Sequence, residues 1–444
     1  MMNLFTMPLP IGLHMGGWRH RDAYANTAMN FQQILELTQL AERGKLDAVF
    51  LADGNGVRDM EKPELFAANS PTARPAGFEP VTLFAALSQH TTHIGLASTA
   101  TTSYEEPYTL ARKFLSLDHL SEGRAIWNVV TTSNAGDSKN FGKEEHAQRS
   151  DRYGRAKEFV EVVQGLWDSW AGDAFPQDKE SGRFLRPERV VTLNHKGDHF
   201  DVQGPLNVAR SPQGQPVLCM AGQSEQGKEF GAAIADCMFS IADSKEVSKT
   251  EYDDVKARMH KYGRDADALR ILPAACVYVG HTGSEADEYF EECQALIPPA
   301  IGVHYLSSKV VHDLSQHPID GPLPDLELEI TGGTNQRRLI IEMARRERLS
   351  IRQLYERFLP SPGGVVMKGT ASQVCDELQD WYESHACDGF MLQAPVMPRG
   401  MHEIVDMIVP ELQRRELFRR EYAGKTLREN MGLPIPRNRL MVDN

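Results

Sequence analysis

Eight short apolar runs, separated for the most part by helical patterns, constrain this chain more than any other feature. They occupy 4–9, 48–52, 94–99, 125–130, 217–221, 237–241, 271–279 and 390–394. Apolar residues recur at i, i+3 and i+4 over 31–46, 81–89, 107–120, 225–234 and 247–262, and again over 370–383 ahead of the eighth run. Strands that alternate with helices pair in parallel, and eight such units are the number that closes a (β/α)8 TIM barrel. The expected fold is α/β, one barrel domain over residues 1–444, because 444 residues are within the reach of a single barrel with insertions.

Two segments exceed what the barrel needs. Residues 134–215 follow the fourth strand and 280–369 the seventh, so both insertions are expected on the carboxyl face, as a lid over the mouth. The glycine- and charge-rich residues 172–186 are expected at its mobile tip. The second insertion carries helical patterns near 284–296 and 335–358. A charged helical extension, 401–444, is expected to face solvent or another subunit.

Charge and cysteine usage narrow the function. A formal charge of −13 without a basic stripe excludes a nucleic-acid partner. The first 21 residues lack a basic segment leading into an unbroken apolar one, and no run of 18 apolar residues occurs, so neither export nor a membrane span is expected. The six cysteines are scattered without a CxxC pair, which points to a reducing cytoplasm and to neither a disulfide framework nor a metal site.

In a barrel the carboxyl ends of the strands converge on one mouth, so their polar residues are the candidates for function. They are Asp53, then Thr99 with Thr101 and Thr102, then Asn128 and Thr131, then Ser224. Asn128 shares a strand face with Ile126 and Val130, and a buried amide left unpaired costs about 1–3 kcal/mol, so a loop carbonyl or a ligand must meet it. Ser224 opens a helix between Gly222 and Gly227, where it can cap that helix or help its N–H groups hold a phosphate. Asp53 precedes a glycine and can end its strand with a turn bond or meet a ligand. His14, beside two glycines and an aromatic, is either structural or a proton carrier at the mouth. Paired carboxylates, HxxxH and Ser-His-Asp spacings are all missing, which leaves the chemistry to an organic cofactor. No strand is followed by GxGxxG with an acidic residue about twenty positions on, so the chain is not expected to oxidise NADH itself.

Eight stretches in order carry a family resemblance: HMGGWRH, DAVFLAD, STATTSYEEPYTLAR, SEGRAIWNVVTT, NFGKEEH, RYGRAKEFVEVVQGLWDSW, HKGDHFDVQGPLNVARSPQGQPVLCMAGQSEQG and YAGKTLRENMGLP. With them the chain resembles the bacterial luciferase-like flavin-dependent monooxygenases, in the branch of nitrilotriacetate, dibenzothiophene-sulfone and long-chain alkane monooxygenases. The resemblance implies a two-component enzyme on a TIM barrel. It would receive FMNH2 from a separate NAD(P)H:flavin reductase, capture O2 as a flavin C(4a) peroxide and insert one oxygen atom into a small organic substrate, in the manner of xenobiotic degradation. It implies Asp53, Thr99, Asn128, Tyr153 and Ser224 as FMN contacts, with Gly222 and Gln223 beside Ser224. Ser224 would meet the phosphate and Asn128 the isoalloxazine edge, while His14 would stabilise or protonate the peroxide. Many relatives carry a histidine four residues before the tyrosine of RY; here Arg149 stands there, and either Arg149 or His146 would replace it. A homodimer or homotetramer is the expected assembly. A deazaflavin-dependent dehydrogenase on the same barrel and a non-catalytic flavin-binding protein are the alternatives.

Overall fold

In the computed structural model, which describes residues 1–24, 29–57, 76–132, 134–144, 146–328, 335–359, 361 and 364–440, eight parallel strands close on themselves. They are β1 (Asn3–Thr6), β2 (Ala48–Leu51), β3 (Gly95–Thr101), β4 (Ala125–Val130), β5 (Val217–Ala221), β6 (Cys237–Ser240), β7 (Arg270–Gly280) and β8 (Gly389–Gln393). Each pairs with its successor and β8 pairs with β1, which is a (β/α)8 TIM barrel. Side chains alternate between its two faces. Phe5, Ala48, Ala97, Ile126 and Leu272 fill the interior, whereas Leu4, Val49, Leu51 and Leu96 meet the surrounding helices. On the outer face Trp127 lies 6.2 Å from Trp167 and 5.9 Å from Phe159, both on the helix Arg149–Trp167. Both indole N–H groups reach carbonyls, Ala100 and Ala111, so the aromatic area is buried without an orphaned donor.

The amino-terminal end of the barrel is fixed by a repeated device. An aspartate immediately precedes β2, β6 and β8, and each accepts the N–H of the second residue of the neighbouring strand. Asp47 takes Leu4 N–H at 2.7 Å, Asp236 takes Leu218 N–H at 2.9 Å and Asp388 takes Ile271 N–H at 2.8 Å. Arg419, Arg428 and Lys256 supply the opposite charges.

Several expectations change here. The extension after 401 is not a solvated face: Leu427, Met431 and Leu433 are buried in the same cluster as the barrel interior, and Arg428 is 2% exposed. Its helix breaks after Arg414 and resumes only at Leu427–Met431; residues 441–444 lie outside the described residues. A further strand, Val365–Thr370, adds to the upper half of β7 outside the barrel; its half-exposed VVMKGT reads weakly as a strand. The 335–358 pattern is two helices, Asn335–Glu347 and Ile351–Phe358, because Arg348 takes φ 55° and Ser350 starts the second with a capping box. They pack with an unforeseen helix, Pro299–Val310, around a core of their own that includes Met15 from the loop after β1.

Residues 172–186 are displaced furthest from expectation. The helix Arg149–Trp167 starts at the mouth and runs antiparallel to β4, so the chain beyond Trp167 emerges at the opposite end. There Asp173 pairs with Arg186 and Arg189, Phe175 packs 4.8 Å from Trp170, and Asp178 and Arg183 bridge a short hairpin. Only the first part of that insertion borders the mouth. No helix among the described residues is long and apolar enough to cross a membrane, and all six cysteines are buried and free.

Candidate functional site

The carboxyl ends of β2 to β5 surround a cavity of about 380 Å³. Asp53, Thr99, Arg149, Tyr153, Gly222, Gln223 and Ser224 all line it, as do Arg152 and Asp137. One end is cationic. The helix Arg149–Trp167 begins there without a side-chain cap, so its first N–H groups face outward together with Arg149 and Arg152. Arg152 donates to the carbonyls of Thr131 (3.0 Å) and Ala147 (2.5 Å), and no carboxylate among the described residues pairs with either arginine. Burial, and then the neighbouring Arg149 guanidinium, pull the Arg152 pKa below its ordinary value. Two unneutralised cations beside a helix N-terminus are arranged for an anion with more than one charge.

The helix Glu225–Ile234 brings a second N-terminus to the same corner. Ser224 caps it by accepting the Gly227 N–H at 3.1 Å, which leaves its own hydroxyl proton to donate; capping and anion binding are compatible. Gly222 and Gly227 approach so closely that a Cβ on Gly227 would lie 3.0 Å from the Gly222 backbone and 3.1 Å from the Tyr153 hydroxyl. The Gln223 side chain turns away to the Ile241 carbonyl and to Glu251, so Gln223 offers the cavity its backbone.

Inside the barrel, Asn128 stands beside Thr99 in the β3–β4 register. Its Nδ2 donates to Thr99 Oγ1 at 2.9 Å, and its Oδ1 is buried without a partner. Gln393, at the end of β8 on the far wall, also has a buried and unpartnered Oε1. Two orphaned amide oxygens within one barrel need a ligand or water to satisfy them.

His146 and His14 are both occupied. His146 Nε2 donates to the Thr132 carbonyl (3.1 Å), so its Nδ1 accepts the Tyr104 hydroxyl (2.8 Å), and the ring has no N–H left for an anion. That leaves Arg149, with Arg152, at the corner. Of the expected residues, Asn128 does not itself line the cavity but stands beside Thr99, which does, and His14 is brought to neither. Its Nδ1 accepts the Gly16 N–H (3.0 Å) and its Nε2 donates to Gln294 Oε1 (3.1 Å), which ties the β1 loop to the helix Gly283–Ala295. Burial, aided by His20, holds its pKa down at about 4, so the ring is neutral at physiological pH.

Arg152 and Gln393 went unnoticed in the sequence. Gln393 lies within the eighth run, at the end of β8, and meets the same strand-end criterion as Asn128. Arg152 needed the helix start at Arg149, one turn before the apolar pattern begins.

Comparison with known proteins gives the family. The model of the luciferase-like monooxygenase family matches residues 13–384. Nitrilotriacetate monooxygenase component A of Aminobacter aminovorans is 45% identical over 98% of this chain and 97% of its own. N-acetyl-S-(2-succino)cysteine monooxygenase of Bacillus subtilis is 44% identical over 96% of each. A crystal structure of a riboflavin lyase with modified FMN and riboflavin superimposes with a TM-score of 0.85, at 30% identity, over 98% of this chain and 96% of that one.

Proposed function

The chain belongs to the luciferase-like monooxygenase family, and from that premise we propose that it is the oxygenase of a two-component system, using reduced FMN from a separate NAD(P)H:flavin reductase and O2 to oxygenate a small organic substrate. The observation that carries this reading is the cationic corner, where Arg149, Arg152, Ser224 and two helix N-termini meet and where, among the described residues, none of the carboxylates lining the cavity (Asp53, Glu79, Glu105, Asp137) pairs with either arginine. It fits the phosphate of FMN, and the unpartnered Asn128 Oδ1 fits an N–H of the ring.

Reduced FMN, when bound, would supply the electrons that activate O2. The chain's own groups bind, orient and exclude water. Arg149, Arg152 and the Ser224 hydroxyl hold the phosphate, with Tyr153 and the backbone of Gly222 and Gln223 closing around it. Asn128 would fix the ring, and Asp53, which lines the same cavity, would border the bound cofactor. The helices between β7 and β8 would keep bulk water from the reacting centre, and His14 holds the β1 loop to the helix Gly283–Ala295 among them. As a neutral ring with both nitrogens engaged, His14 acts by position.

The test is oxygen consumption with reduced FMN from any generic flavin reductase, screened over nitrilotriacetate, N-acetyl-S-(2-succino)cysteine, dibenzothiophene sulfone and a long-chain alkane. The chain alone should bind FMN, more tightly when reduced, and should not oxidise NADH. Steady NADH oxidation by the pure protein would place the reductase on this chain and defeat the two-component reading.

A further inference from the structure

Thr99 and Asn128 form a relay whose direction can be read from proton counting. The Thr99 hydroxyl lies 2.8 Å from the Leu51 carbonyl, which can only accept, so the single hydroxyl proton goes to Leu51. The same oxygen must then accept from its other neighbour, 2.9 Å away, and that neighbour is the Asn128 amide. Only Nδ2 can donate. The orientation of this amide therefore follows from its partners, and Oδ1 is left as the buried, unpartnered atom on the inner wall.

We propose that Thr99 is a positioning residue: with its hydroxyl committed to Leu51 and Asn128, it locks Asn128 as an acceptor, so that the barrel takes a flavin ring by an N–H. This rests on the flavin reading above and deepens it. With Thr99 replaced by an apolar isostere, the amide is free to turn, and half of its orientations offer the ring an NH2 where an acceptor is needed. A ring N–H has three sources. The N3–H is present in both oxidation states, whereas the N5–H and, in neutral FMNH2, the N1–H are present only in reduced flavin.

The experiment measures dissociation constants of oxidised FMN, reduced FMN under anaerobic conditions and oxidised 3-methyl-FMN, for the wild type, Thr99→Val and Thr99→Ser, with the melting temperature of each. Thr99→Val should weaken FMN binding by about tenfold, the size of one hydrogen bond, and Thr99→Ser should retain the affinity to within about threefold at unchanged melting temperature. If the wild type binds 3-methyl-FMN about tenfold more weakly than FMN and Thr99→Val erases that difference, the N3–H is the donor. A loss confined to reduced FMN assigns instead a proton that only the reduced ring carries, at N5 or N1. Equal weakening in Thr99→Ser and Thr99→Val would mean that only side-chain shape matters and would overturn the relay. So would an unchanged affinity in Thr99→Val, whatever its melting temperature. A wild-type protein that binds FMN in neither state would overturn the flavin reading and the relay together.

Discussion

Arg428 at the floor of the barrel and Arg152 at its mouth both donate to backbone carbonyls, and among the described residues the first alone pairs with a carboxylate. Arg428 meets Asp236 through two nitrogens, at 2.7 and 3.1 Å, and also the carbonyls of Gln215 and Pro216. Nearby, Arg124 makes five hydrogen bonds to Thr91, Ser121, Ile94 and Ser88, and the fully buried Asp118 accepts from Ser211, Gln213 and the Ala125 N–H. At the floor each of these charged groups has its partner within the chain, although Gln213 Oε1 and Arg419 Nη1 are buried without one. At the mouth, Arg149 and Arg152 repel one another and Asn128 Oδ1 has no donor. Groups of the same chemical type stabilise the fold at one end and await a ligand at the other, as the barrel's division of labour between its faces requires.

The comparison breaks most readily at the arginines. Arg428→Ala strands Asp236 in the core and should cost about 3–5 kcal/mol in denaturant-measured stability, with FMN affinity of the folded fraction unchanged. Arg152→Ala should leave stability within about 0.5 kcal/mol while weakening FMN binding by about 1.5–3 kcal/mol, the range for a hydrogen bond to a charged group. Stability lost equally in both variants, or affinity lost in Arg428→Ala, would erase the distinction between the two ends.

A smaller effect separates them by pH. His14 is neutral in the fold with a pKa of about 4, against about 6.5 in the unfolded chain, so only the unfolded state binds a proton between those values. Its contribution is present above pH 6.5 and is lost as pH falls towards 4, and the gap corresponds to about 3 kcal/mol at most. Denaturation of the wild type and His14→Gln across pH 4–7 should give curves that converge on acidification. Parallel curves would mean that the imidazole is not buried neutral.

How far the molecule was legible follows the same division. The strands and most helices were readable because their burial is periodic, and Asp53, Thr99, Asn128, Tyr153 and Ser224 stand at strand or helix ends where topology makes polar residues converge. Arg428 and Arg152 are indistinguishable in one dimension, since what separates them is whether Asp236 lies within reach. The aspartates before β2, β6 and β8 recur as DAVF, DCMF and DGFM, a signal visible in the sequence once strand starts are known. Thr99 lines the cavity as its strand-end position suggests, while the commitment of its hydroxyl to Leu51 and Asn128 is a matter of donor counting that no spacing carries.

The smallest expected effect concerns the hairpin at 172–186, for which sequence position alone suggested a lid. A helix of 19 residues spans about 28 Å, enough to carry the chain from the mouth, where Arg149 lines the cavity, to the floor, where Asp168 pairs with Arg210 and meets the tail at Arg439. A segment that begins there cannot shield the reacting centre of its own barrel. Trypsin cleavage after Lys179 or Arg183 should therefore proceed at the same rate with and without FMN, and shortening the hairpin between Gln177 and Arg183 should leave the ratio of product to hydrogen peroxide unchanged. The helices between β7 and β8 are the other long insertion, and they join the β1 loop through Met15 and the His14–Gln294 bond. Protection of the hairpin by FMN, or more peroxide per product after shortening it, would mean that the floor senses the mouth, and the two ends could no longer be treated as independent.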